Sequence, residues 1–272
     1  MTLAILRELD FSAVDDLAFA AERGRLDVSN MLFNFESWEL GPLLELYQLS
    51  EAGLGPNSLR GGWLDVGAFP GLGGGIVAPG ARWTTGEKWR LGVLKTGRGD
   101  TQYEWTAFAM DAKRAAVSAG LNKDWAAQMV GALGEFHSNI YEHSEAEETG
   151  LIAFRSAPSL FEFVAADRGV GLLATLREAP EYGDLMDHGE ALRLALTDGA
   201  SRYGFDQGRG YGFRPLFTGL ANRQASLRFR TGNASLAVDG TGPSLLRAQA
   251  GRKPHLPGVF ISVACRMTAP AP

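Results

Sequence analysis

The chain has 272 residues, with 26 lysines and arginines against 31 aspartates and glutamates, for a net charge of −5. Apolar residues make up 45% and charged residues 21%, which excludes a wholly disordered chain and the collagen-like and low-complexity classes. The acidic balance argues against sequence-independent nucleic-acid binding, which needs a net basic face. No apolar run reaches the roughly 18 residues of a membrane-spanning helix, and the N-terminus lacks the basic start and long apolar core of a secretion signal. The single cysteine, Cys265, has no internal disulfide partner, which fits a reducing compartment. The expectation is a cytoplasmic protein with neither a nucleic acid nor a membrane as partner.

In chain order, Leu3 to Leu9 predicts a strand and Ala13 to Arg23 a helix stopped by Gly24. Asn30 to Phe35 predicts a second strand. Ser37 is placed to cap a helix carrying Leu40, Leu43, Leu44 and Tyr47, with Pro42 tolerated in its first turns. This strand-helix-strand-helix order predicts a small α/β unit. Gly71 and Gly73 to Gly75 read as a loop, and Trp89 to Leu94 as a strand.

From Thr106 the pattern changes. Phe108 to Ala119 predicts a helix closed by Gly120. A stronger helix starts at Asn122 or Lys123 and runs to about His143. Its residues Trp125, Met129, Leu133, Phe136 and Ile140 fall within roughly 80° of one another at 100° per residue. Leu151 to Ser156 and Leu160 to Ala166 predict a hairpin turning at Ala157–Pro158. Residues 172–207 hold helical fragments broken by Pro180, Gly183, Gly189 and Gly199. Pro215 to Asn222 predicts a further helix. Ser226 to Arg230, Asn233 to Val238 and Val259 to Cys265 close the chain as strands. Helices and strands in blocks predict an α+β fold.

Three polar clusters interrupt this framework. Glu135 and Asn139 lie one turn apart on the strong helix and share a face; a carboxylate and an amide oxygen so spaced suit a hard cation or an oriented water. Taken alone, the pattern also describes a solvated helix edge. Asp167-Arg-Gly169-Val-Gly171 follows an apolar strand, where glycines let backbone approach a flat ligand and the carboxylate accepts a hydrogen bond; a plain turn has the same composition. Gly208-Arg-Gly210-Tyr-Gly212-Phe213 precedes a predicted helix and would present backbone N–H groups to an anion. It does not follow the strand-then-helix order of a dinucleotide fingerprint.

The order and spacing of the three clusters resemble the GHKL ATPases, the superfamily of gyrase, the large heat-shock chaperones, histidine kinases and mismatch-repair proteins. Glu135-Phe-His-Ser-Asn139-Ile-Tyr-Glu-His143 is similar to the family's N box, Asp167-x-Gly169-x-Gly171 to its first glycine box, and Gly208-x-Gly210-x-Gly212 to its second. The resemblance covers roughly residues 105–265. It implies a two-layer α/β sandwich, a mixed sheet with helices on one face, binding ATP and Mg²⁺. It implies that Asn139 holds the metal, that His143 belongs to the same nucleotide-binding box, and that Asp167 takes the adenine amino group. Gly169 and Gly171 would pass close to the base. Gly208, Gly210 and Gly212 would cradle the phosphates under a lid formed by residues 172–207, and Glu135 would stand as general base. Within the superfamily the N box looks most like that of the serine kinases of the anti-sigma-factor type. Arg168 stands where many members carry asparagine.

Residues 30–50 resemble a STAS-type anti-sigma antagonist domain, in which a strand leads through a loop to a helix. The expected organisation is an N-terminal module over 1–100 and a GHKL domain over 101–267. The expected function is an ATPase or serine/threonine kinase acting on a protein partner; the alternative is a non-catalytic, nucleotide-gated interaction switch. The resemblance also allows a homodimer.

Overall fold

Along a strand, side chains alternate between faces, so a sheet covered on both sides needs apolar residues at both parities. The computed structural model of the chain, which describes residues 3–24, 32–55, 69–98, 102–196, 225–238 and 249–267, has such a sheet. Its strands are β3 (Gly80–Thr85), β4 (Arg90–Lys95), β5 (Leu151–Ala157), β6 (Leu160–Ala166), β7 (Ser226–Val238) and β8 (Gln249–Arg266), in the order β3-β4-β5-β6-β8-β7. A separate parallel pair, β1 (Leu3–Leu9) and β2 (Leu32–Trp38), is connected through helix α1 (Phe11–Glu22). The α+β class is therefore as expected.

Two expected features of the sandwich are corrected. All pairings in the six-stranded sheet are antiparallel, not mixed. Helices cover both of its faces, not one. On the first face, Ile152, Phe154, Phe161, Phe163, Ile261 and Val263 meet α4 (Gln102–Ser118), α5 (Lys123–His143), α6 (Gly171–Arg177) and α7 (His188–Ala195). On the second, Leu151, Ala153, Val164 and Phe260 meet α1, α2 (Leu40–Glu51) and α3 (Leu72–Val77). The boundary expected near residue 100 falls between β4 and α4, and β4 pairs with β5 across it.

Helix α5 forms as its sequence predicts. Asn122 caps it, its side chain accepting from the Trp125 N–H at 2.8 Å. Met129, Leu133, Phe136 and Ile140 are buried. The hairpin β5–β6 turns at Pro158–Ser159, one residue later than expected.

Helix α2 differs in where and how it starts. Ser37 lies within β2 and Glu39 precedes the first helical residue. The Leu40 N–H donates instead to Glu162 Oε2 on β6, 3.2 Å away, so the orphan donor is satisfied by a residue distant in sequence. The glycine run at 73–75 is helix α3, not a loop. A side chain at Gly75 would place its Cβ 2.8 Å from Val93 Cβ, so the run lets α3 lie directly on β4. Strand β8 is longer than expected and passes through Pro254 and Pro257. The β7–β8 register shifts beside them, between Thr231 and Ala234, where a proline's missing N–H costs no ladder bond.

Candidate functional site

Strand β6 ends at Ala166, and the next residue, Asp167, turns the chain toward α6. Asp167 is 7% exposed. Its backbone N–H donates to the Val259 carbonyl at 2.9 Å, and its Oδ1 accepts from the Gly169 N–H at 2.9 Å. Burial pushes the carboxyl up to about 6, against the opposing pull of its backbone donors and of the Arg168 charge.

The loop is packed against the end of α5. The Val170 N–H donates to the Ser144 carbonyl at 2.9 Å, and Ser144 follows directly on the last helical residue, His143. A Cβ on Gly169 would stand 1.9 Å from that carbonyl oxygen. Gly171, at φ +77°, leaves room for Thr231 Oγ1 and the Gly258 carbonyl; Gly258, at φ +74°, lies so close to Asp167 that a Cβ would be 2.2 Å from its backbone oxygen. Thr231 binds this corner together: its hydroxyl donates to Gly258 O at 2.8 Å and accepts from the Leu172 N–H at 3.2 Å. The glycines here are required by the protein's own close contacts. Gly169→Ala is expected to destabilise the fold by about 1–3 kcal/mol, measured by urea unfolding; the backbone carbonyl it meets is already bonded to the Val170 N–H.

The structure thus sets the C-terminal end of α5 against the Asp167–Gly171 loop through Ser144, with Asn139 about one turn and Glu135 about two turns further back along the helix. On α5, Glu135 is exposed, Asn139 is half-buried, and His143 is half-buried with Nε2 4.0 Å from Glu142 Oε2. Between them, His137 is buried and stacked on Trp105, with ring centroids 4.5 Å apart. Burial lowers its pKa to about 4, so it is a neutral packing residue at physiological pH. The third cluster, Gly208, Gly210 and Gly212, lies outside the described residues. Of the expected lid, residues 172–196 hold α6, a short 3-10 turn at Pro180–Tyr182 and α7; Leu172, Leu176, Ala191, Leu192 and Ala195 belong to the core, so both helices are docked on the sheet. Residues 197–207 lie outside the described residues.

Several neighbours of Asp167 had no sequence signal. Gly258 lies against Asp167 itself, and Ser144 and Thr231 meet the residues that follow it, Gly169 to Leu172. Arg168 extends to α2, where Nη1 donates to Gln48 Oε1 at 3.1 Å and Nη2 is 3.6 Å from Glu51 Oε2. Lys95 at the end of β4 donates to the Gly150 carbonyl at 3.1 Å. Burial first, and then the Arg168 charge, lower its pKa to about 8. Among the described residues, no three His, Cys, Asp or Glu side chains gather into a metal-binding group. A cavity of about 260 Å³ lies at the opposite end of β6, lined by Phe11, Pro42, Glu162, Arg228 and Ser262 among others.

Across the sheet from α5, the second face holds a buried ionic cluster. Arg228 Nε donates to Glu45 Oε2 at 3.0 Å and Nη2 to Asp15 Oδ1 at 2.6 Å. Arg230 donates to Glu45 and to the Pro254 carbonyl, and Lys253 to Asp15. Glu45 and Arg230 are wholly buried. The cluster joins α1 and α2 to β7 and β8.

No helix among the described residues is long and apolar enough to cross a membrane. Comparison with protein-family models, with curated proteins and with solved structures gave no match.

Proposed function

We propose that this chain is a Mg·ATP-binding regulatory protein of the GHKL type, acting as an ATPase or as a serine/threonine kinase toward a protein partner. The observation that carries the reading is a buried carboxyl, Asp167, at the end of a sheet strand, adjoining the last turn of the helix that holds Glu135 and Asn139. A carboxylate in a dry site, fixed by backbone donors, is a strong acceptor for an exocyclic amine. In this reading Asp167 takes the adenine amino group, Asn139 and the neighbouring His143 face the phosphates with Mg²⁺ on Asn139, and Glu135 serves as general base. Magnesium would neutralise charge on the phosphate oxygens. A guanine would set a carbonyl against Asp167 and leave both acceptors unpaired, which is the basis of selectivity.

Calorimetric titration with ATP and GTP in the presence of Mg²⁺ tests this. Expected is a preference for ATP of about tenfold or more, lost in Asp167→Ala, and a magnesium dependence lost in Asn139→Ala. Equal affinity for ATP and GTP in the parent rejects the assignment of Asp167. Glu135→Gln then divides the enzymatic from the non-enzymatic reading: turnover abolished with binding retained supports catalysis, whereas a parent without turnover supports a nucleotide-gated switch.

A further inference from the structure

Arg168 is bonded to two parts of the fold at once. Its backbone N–H donates to Thr149 Oγ1 at 2.9 Å, fixing the Asp167 loop to the segment after α5. Its guanidinium crosses to the other layer, donating to Gln48 at 3.1 Å and pairing with Glu51 at 3.6 Å. Gln48 and Glu51 are three residues apart on α2 and so share a face.

Helix α2 is a fixed strut. All its residues from Leu40 to Ser50 are buried. Its first N–H is held by Glu162, and Glu45 in its middle is held by Arg228 and Arg230. It lies along β6, from Glu162 near one end to Arg168 just past the other. Gln48 Nε2 is buried with no hydrogen-bond partner among the described residues, an unfavourable state for an amide that is retained where its Oε1 serves Arg168.

We propose that Arg168 is a positioning residue that ties the Asp167 loop to α2 through Gln48 and Glu51, so that the N-terminal layer sets nucleotide affinity at Asp167. The inference rests on the nucleotide reading above. Arg168 touches no reacting atom; it holds the backbone directly after the carboxylate and places a positive charge beside it. Coupling of this kind is reciprocal, so bound nucleotide must stabilise the docked state of α2 by the same factor.

The test titrates Mg·ATP and Mg·GTP into the full chain and into Gln48→Ala, Gln48→Glu and Glu51→Gln variants, none of which alters a proposed ligand-contacting residue. Gln48→Ala is expected to weaken ATP binding about fivefold or more and to narrow the ATP-to-GTP ratio. Gln48→Glu, which offers Arg168 a charged acceptor, restores both. Glu51 is a quarter exposed at its side chain, so Glu51→Gln folds even where Gln48→Ala does not, and it shifts both readouts in the same direction by a smaller factor. In the parent, Mg·ATP slows amide hydrogen exchange across Leu40–Glu51. A parent that binds ATP, with affinity and base preference unchanged in the α2 variants, overturns the coupling and leaves the nucleotide reading standing. A parent that binds no ATP overturns both.

Discussion

Glu45→Gln is expected to lower the free energy of unfolding by about 3–5 kcal/mol, read from the midpoint of a urea transition at unchanged slope. Glu45 has no solvent exposure and accepts from Arg228 and from Arg230. The cluster contains three cations, Arg228, Arg230 and Lys253, against two carboxylates, Asp15 and Glu45. Removing one carboxylate leaves a single aspartate facing all three. An uncompensated buried charge, rather than the lost hydrogen bonds, dominates the cost. The same argument makes a second demand: replacing Glu45, Arg228 and Arg230 together by apolar residues of similar volume should cost much less than the sum of the single losses. A triple variant as unstable as that sum would mean that the network is worth more than its desolvation cost, contrary to this account.

Asp167→Asn is expected to move stability and binding in opposite directions. The carboxyl titrates at about 6 in the fold against an ordinary 3.8, so the folded state holds its proton more tightly than the unfolded chain. Between these values stability falls as pH rises, and above 6 the full penalty of burying the charge applies. That penalty is about 2–3 kcal/mol. Asparagine keeps an oxygen to accept from Gly169 and carries no charge. The variant should therefore be more stable than the parent by about 1–3 kcal/mol at pH 7, with the gain fading as pH falls from 6 to below 4. ATP binding should weaken in the same variant, because a neutral amide is the poorer acceptor. Thermal unfolding at pH 7 and pH 3.5 beside ATP titration checks both halves; a variant less stable than the parent at pH 7 would contradict the assigned cost of the buried charge.

What could be read from the sequence was what short stretches determine. Helix α5 has its own cap and apolar stripe, and the β5–β6 hairpin has its own turn, so both were legible. The start of α2 was not, because its cap is Glu162, far away in the chain. Helix α3 is a glycine run whose fold depends on Val93 lying beneath it; local propensity argues the other way. The second helical layer was hidden for a related reason. Helices on one face were what the GHKL resemblance implied; the other face carries Arg228 and Arg230 among apolar neighbours, and their charges are balanced only by Glu45 and Asp15 from the N-terminal segment. At the candidate site, Asp167 and its glycines were legible as a motif. Ser144, Thr231, Gly258 and Gln48 were not, since each is an ordinary residue that matters only by proximity. Arg168 stood out only against the GHKL resemblance, and its bonds to Gln48 and Glu51 on α2 were not legible.

The pairing of β4 with β5 has a practical bearing on dissection of the chain. A fragment starting at residue 101 would lose two strands from one margin of the sheet and the three helices α1, α2 and α3 described on one face. Leu151, Val164 and Phe260 would meet water beside two guanidinium groups stripped of their counterions. Such a piece would self-associate or stay unfolded, and its failure to bind a ligand would say nothing about the intact molecule.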